Sequence, residues 1–205
     1  LGTDRKLYLY SEGKIYDITP LRRTASLTNP FATSSGSSTV TVTDNAHNAE
    51  VGAFVTFDDG SASNVVDGID FNNEFEILTV PTANTYTINA GTNASGTTAA
   101  GGGSTDAKYQ INPGPTSSTY GYGWGTETWG ASTWDTARSS SNVVVAARNW
   151  SLDNFGEDLI ATVLNGGTFI WDTSGGTGSR ATTLSNAPTA SRFSLVSTDT
   201  RHLLI

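Results

Sequence analysis

Alternating hydrophobic and polar positions mark the clearest elements of this chain. In Ser38–Thr43, Val40 and Val42 fall between threonines, the pattern of a strand with one buried face. The same period predicts strands over Val51–Phe57, Glu74–Val80 and Thr85–Asn89, with Asp44–Asn48, Asp58–Ser61 and Pro81–Asn84 as turns and Asp67–Asn73 as a polar loop. Leu7–Tyr10 and Lys14–Ile18 flank Glu12 and Gly13, which reads as a β-hairpin ended by Pro20. Further strands are expected at Lys108–Asn112, Asn142–Trp150, Leu159–Val163, Thr168–Asp172, Arg180–Leu184, Ser194–Ser197 and Arg201–Ile205. Gly166 and Gly167 make the turn between Leu159–Val163 and Thr168–Asp172.

The character of the chain changes twice. Residues 25–107 read as an inserted β-module, a small barrel or sandwich, ending in a flexible linker at Ala90–Thr105 that holds nothing apolar larger than Ala. Residues 1–24 and 108–205 repeat a unit of strand, glycine turn, strand and polar link. That unit is blade-like, so the fold class is all-β, with two discontinuous segments forming part of a β-propeller-like platform around the insert.

One stretch fits neither helix nor simple strand. Between Tyr120 and Asp135 aromatics alternate with glycine, and Trp124, Trp129 and Trp134 recur every five residues. Ordered glycine is entropically costly, and Trp seldom stays exposed without a reason. Tyr122, Trp124, Trp129 and Trp134, with Trp150, Trp171, Arg148 and Arg201, are therefore candidate structural and interface anchors. The tryptophans also offer flat faces on which sugars stack.

Composition narrows the function classes. Only 15% of the 205 residues are charged and 22 are glycine, which suits short strands and many turns. The net charge of −8 opposes an electrostatic grip on nucleic acid or on an anionic membrane. There is no cysteine for disulfides or thiolate metal sites, and no apolar run nears the about 18 residues of a membrane span. The absence of methionine, with a start at Leu1 and an end inside an expected strand, leads us to expect an internal piece of a longer polypeptide.

Candidate chemistry is sparse. Asp153, Glu157 and Asp158 form an acidic cluster that a glycosidase could use. Their local setting points instead to a turn whose carboxylates accept backbone N–H bonds. His47 and His202 are the only histidines, and neither is expected to ligate a metal. Asp58, Asp59, Asp67 and Asp70 could gather round calcium, but loop carboxylates in water are the default. No nucleophile elbow or phosphate-binding loop occurs. The expectation is of a chain that is not an enzyme and binds no metal or cofactor.

Several segments in order resemble tail-associated structural proteins of short-tailed bacteriophages: Leu7–Pro20, Gly123–Gly130, Trp150–Leu159, Phe169–Asp172 and Thr198–His202. The insert, with Thr39–Thr43, Val51–Phe57 and Val80–Ile88, is similar to a β-module common in phage virion proteins. The resemblance implies a tail hub or nozzle subunit of the virion. Its partners would be copies of itself in a ring, adaptor and fibre proteins, and DNA passing without specific binding. A host-surface glycan or receptor-binding tail protein is the alternative, and a polysaccharide-degrading tail enzyme a third reading.

Overall fold

The computed structural model describes residues 1–3, 5–114, 117–118 and 147–205. It is all-β, with a single 3-10 turn at Thr173–Gly175 among the described residues. The chain divides into two compact units, Leu1–Thr19 with Pro113–Ile205, and Pro20–Asn112. The boundaries fall at Pro20 and Asn112 instead of near residues 25 and 107. The strand that opens the inner unit, Leu21–Thr28, pairs along its length with the strand that closes it, Ser104–Gln110.

The first segment is a hairpin of β1 (Tyr8–Ser11) and β2 (Lys14–Asp17), with Tyr8 opposite Asp17 and Tyr10 opposite Ile15. Glu12 and Gly13 turn it with positive φ at both positions, the two-residue connection whose twist matches the strands.

The inner unit holds β3 (Leu21–Thr28), β4 (Phe31–Ala32), β5 (Thr39–Thr43), β6 (Phe54–Asp58), β7 (Val65–Val66), β8 (Ile69–Asp70), β9 (Glu74–Thr82), β10 (Thr85–Asn89) and β11 (Ser104–Gln110). Seven of them form one antiparallel sheet in the order β3-β11-β6-β9-β10-β5-β4, and β7 pairs with β8. Alternation delivers the core. Val40 and Val42, Val55 and Phe57, Phe75 and Ile77, and Tyr86 and Ile88 are buried, with Phe31, Phe71 and Tyr109. The sheet does not close into a barrel.

Three expectations are corrected here. Pro81 lies inside β9, not in a turn. β6 pairs with β9 only from Glu74 to Glu76, so the ring nitrogen of Pro81 interrupts no ladder on that side. The expected polar loop at Asp67–Asn73 contains β8, and Val66, Ile69 and Phe71 are buried. The expected linker at Ala90–Thr105 is tied in by backbone bonds. Ala94 and Ser37 bond (N···O 2.9 Å), as do Gly36 and Ala94 (2.8 Å), Thr33 and Thr98 (2.8 Å) and Ser95 and Asp67 (2.8 Å). Phe31 and Gly101 exchange two bonds, of 3.1 and 2.9 Å. A Cβ at Gly102, whose φ is +99°, would collide with the Phe31 ring. Lacking large side chains, this segment passes close over the core.

The outer unit continues with β12 (Trp150–Phe155), β13 (Asp158–Val163), β14 (Thr168–Trp171) and β15 (Thr182–Thr183), an antiparallel meander in chain order, and a ribbon of β16 (Leu195–Val196) with β17 (Leu203–Leu204). One such meander resembles a blade, but a propeller needs several about an axis. Among the described residues the outer unit's sheets are separate and small, and none closes into a barrel.

Asp17 stitches the outer unit's two segments together. Its carboxylate accepts from the Thr19 hydroxyl (2.6 Å) and amide (2.9 Å), and pairs with Arg180 (2.6 Å) and Lys6 (3.3 Å). Burial opposes its charge, yet the Thr19 bonds, Arg180 and Lys6 together hold the carboxyl below its ordinary value. A depressed folded value means stability that is full above the unfolded value of 3.8 and is lost as pH falls through the folded one. Asp17→Asn is expected to lower stability at pH 7 by roughly 1–2 kcal/mol. It should also flatten the acid limb below about pH 4, read from urea midpoints against pH; parallel acid limbs in the two proteins would refute the assignment.

Candidate functional site

Tyr122, Trp124, Trp129, Trp134 and the expected strand residues 142–146 lie outside the described residues. The other sequence candidates all belong to the outer unit. The Trp150 indole donates to the Thr3 carbonyl (3.0 Å), and that of Trp171 to the Ser179 carbonyl (3.2 Å). The Trp150 bond joins the outer unit's two segments and the Trp171 bond closes a local loop, each satisfying the N–H as a half-buried or buried indole requires. Arg148 and Trp150 line a hollow of about 430 Å³ with Leu1, Gly2 and Thr3. Arg201 stands apart from these, over Gly156.

The acidic cluster is spread out and committed. Asp153 accepts the Asn154 amide (2.8 Å) on one oxygen and the Val196 amide (2.7 Å) on the other. Asp158 accepts the Thr173 amide (3.0 Å) and hydroxyl (3.1 Å). Glu157 lies exposed in the turn. Asp153 thus holds β16 to β12.

The inner unit's aspartates are also engaged. Asp58 accepts the Gly60 amide and pairs with Lys108 (3.1 Å), which hold it below its ordinary value. Asp59 accepts from the Ser61 hydroxyl, the Asn72 side-chain amide and the Ser61 amide, with the same effect. Asp67 takes the Thr33 hydroxyl (2.5 Å), and Asp70 the Asn64 and Asn72 amides (3.1 and 3.0 Å). Among the described residues no three His, Cys, Asp or Glu side chains are placed to hold a metal ion. Nor is any helix among them long and apolar enough to cross a membrane.

A buried polar chain that the sequence did not suggest runs through the inner core. Arg23 grips both oxygens of Asp44 (2.5 and 3.0 Å), Tyr109 donates to Asp44 (2.6 Å), and the Tyr86 and Tyr109 hydroxyls share a bond (3.0 Å). Burial, foremost, pushes both phenols well above their ordinary value, so they remain protonated bond-formers. Arg22 lies over the Tyr109 ring at 5.0 Å and donates to the His47 carbonyl (3.0 Å). His47 Nδ1 accepts the Ala49 amide (2.8 Å), which places its proton on Nε2, facing the Thr82 carbonyl (3.2 Å). The chain locks strands together.

Two further hollows lie in the outer unit among the described residues. On the hairpin, Leu1, Thr3, Tyr8, Tyr10 and Ile15 line an almost wholly apolar hollow of about 600 Å³. Tyr10 is 72% exposed and Ile15, opposite it, 69%. Tyr8 and Tyr10 are two residues apart on β1 and so share a face. The alternation in Leu7–Tyr10 carried that signal. The other is a polar hollow of about 370 Å³ lined by Asp153, Asn154, Gly156, Val196, Ser197, Thr198 and Arg201.

No family model matches the chain, and no curated protein matches it. Among solved structures it is similar to a phage phi92 endosialidase, at TM-score 0.38 and 15% identity, over 93% of this chain and 27% of that one. This chain thus spans about a quarter of that protein's length. The expectation of a chain that is not an enzyme is withdrawn, because the solved protein it resembles bears an enzyme's name. A likeness this distant assigns no activity to this chain.

Proposed function

We propose that this is a bacteriophage tail protein that recognises glycans on the host surface through its outer unit. The observation that carries the reading is the tyrosine ledge of the β1–β2 hairpin. The C–H faces of sugar rings are apolar and stack on aromatic planes, while a phenol hydroxyl at the rim meets sugar hydroxyls. Tyr8 and Tyr10 present such planes on one strand face, beside Ile15. Large side chains exposed together on a rigid hairpin are costly to leave bare, and such patches mark interaction sites. The phage setting, a place in the virion tail, hub or nozzle identity, and assembly into a ring with copies of itself rest on the sequence resemblance.

The test is glycan-array binding of the intact chain beside Tyr10→Ala. A set of bacterial surface oligosaccharides is expected to bind, and Tyr10→Ala to weaken them roughly tenfold, with melting temperature unchanged because the ring is exposed. Binding that is indifferent to Tyr10 and Tyr8 would remove the ledge from the reading.

A further inference from the structure

Arg201 combines a left-handed backbone with a guanidinium lying over a glycine at the edge of a hollow. Its backbone is left-handed (φ +49°), a conformation unfavourable for a side chain with a Cβ. The tight loop between β16 and β17 imposes it: the Arg201 amide donates to the Ser197 carbonyl (2.9 Å), and the Ser197 amide to the His202 carbonyl (2.8 Å). Thr200 fastens the loop further, with its hydroxyl 3.1 Å from that of Ser197 and 2.6 Å from His202 Nδ1.

This conformation lays the guanidinium across Gly156, at the β12–β13 turn. A Cβ there would sit 3.3 Å from Nη1, 3.5 Å from Cζ and 3.9 Å from Nη2. The glycine leaves room for a planar group lying flat on the backbone. Asp153, which lines the same hollow, turns its two oxygens to the Asn154 and Val196 amides and forms no ion pair with Arg201. Among the described residues the Arg201 guanidinium makes no hydrogen bond or ion pair, although it stands at the mouth of the hollow that Asp153 shapes.

We infer that this hollow binds the carboxylate of an acidic sugar within a host-surface glycan, with Arg201 as a two-pronged clamp. The inference rests on the glycan reading above and names the substrate class. A guanidinium fork matches a planar carboxylate in bidentate geometry. Asn154, Ser197 and Thr198 supply amide and hydroxyl groups suited to sugar hydroxyls on the same rim. The volume lies within the range of small-ligand sites. The net charge of −8 repels a polyanion at long range, so recognition acts at contact, within the about 8 Å over which charges are felt at physiological salt.

The test titrates the intact chain with short oligogalacturonates and with neutral galactose oligomers of equal length, followed by calorimetry. The acidic oligomer is expected to bind at least roughly tenfold more tightly. Arg201→Gly should erase that preference while melting no lower than the parent, since glycine accepts the left-handed backbone. Arg201→Lys should lose most of the preference, because an ammonium cannot make the fork. Equal binding of acidic and neutral oligomers, or a preference that survives Arg201→Gly, overturns the inference. Full competition by inorganic phosphate at equal concentration also overturns it, as the mark of a general oxyanion site. If neutral oligomers bind and Tyr10→Ala abolishes this, only the acidic specificity has failed. If neither oligomer binds and the array is blank, the glycan reading has failed with it.

Discussion

Phe31→Ala is expected to destabilise the Pro20–Asn112 unit by about 3–5 kcal/mol, as full truncation of a buried aromatic does. Phe31 is fully buried, with its ring stacked on Phe71 at 3.8 Å and edge-on to Phe57 at 5.0 Å. It sits on β4, a two-residue edge strand, and is roofed by Gly102 and by the paired backbone bonds to Gly101. Truncation would leave a void among Phe57, Phe71 and Gly102. The surroundings have little means to collapse into it, because β4 is held on one side by β5 and on the other by Gly101. Phe31→Leu keeps much of the volume and is expected to cost less than half as much. Urea unfolding followed by amide exchange in β5, β10 and β11 measures it; a loss below about 1 kcal/mol for Phe31→Ala would show that the stacked rings do not anchor the unit.

Asp44→Ala should also be damaging, at about 1–3 kcal/mol, for a different reason. The Asp44 side chain is 3% exposed and accepts both prongs of Arg23 and the Tyr109 hydroxyl. Without it, the Tyr109 hydroxyl is left with Tyr86 alone in the buried core. Arg23, 30% exposed, can turn to water, so the buried phenol bears most of the cost. Tyr109→Phe keeps the Arg23–Asp44 pair and is expected to cost only about 1–2 kcal/mol. If the chain acts as a unit, the double substitution Asp44→Ala with Tyr109→Phe will cost clearly less than the two singles added together. Simple additivity in denaturant melts would mean that the hydroxyl and the ion pair contribute independently.

Much of the inner unit was legible from alternation alone. Val40 and Val42, Phe75 and Ile77, and Tyr86 and Ile88 announce their buried face, because an antiparallel strand with one buried side must alternate. The Glu12–Gly13 hairpin was legible for the same reason, with its turn residues in view. The β7–β8 hairpin was not read, although Asp67 and Gly68 form a two-residue turn with positive φ at both positions. Strands of two residues are too short to show a period, so the turn dipeptide was the one available signal. Ala90–Thr105 looked like a linker because it offers no large side chain. Its contribution is backbone bonding and close approach, which hydrophobic patterning does not record. The unit boundaries depend on β3 pairing with β11 across some eighty residues, a non-local choice that no local window contains.

The candidate sites divide in the same way. Tyr8 and Tyr10 sharing a face follows from spacing alone. The meeting of Arg201 with Gly156 does not, since it depends on the left-handed backbone at Arg201 and on Asp153 holding β16 against β12. The Asp44, Tyr86 and Tyr109 chain brings together three strands or turns whose polar tips meet only after folding.

Labelled chain applied to bacterial cells, treated beforehand either with protease or with periodate, tests glycan recognition most directly. A glycan-binding tail protein is expected to stay on protease-treated cells and to be lost from periodate-treated ones, with Tyr10→Ala reducing the untreated signal. Retention after periodate together with loss after protease would contradict it, by making the receptor a protein.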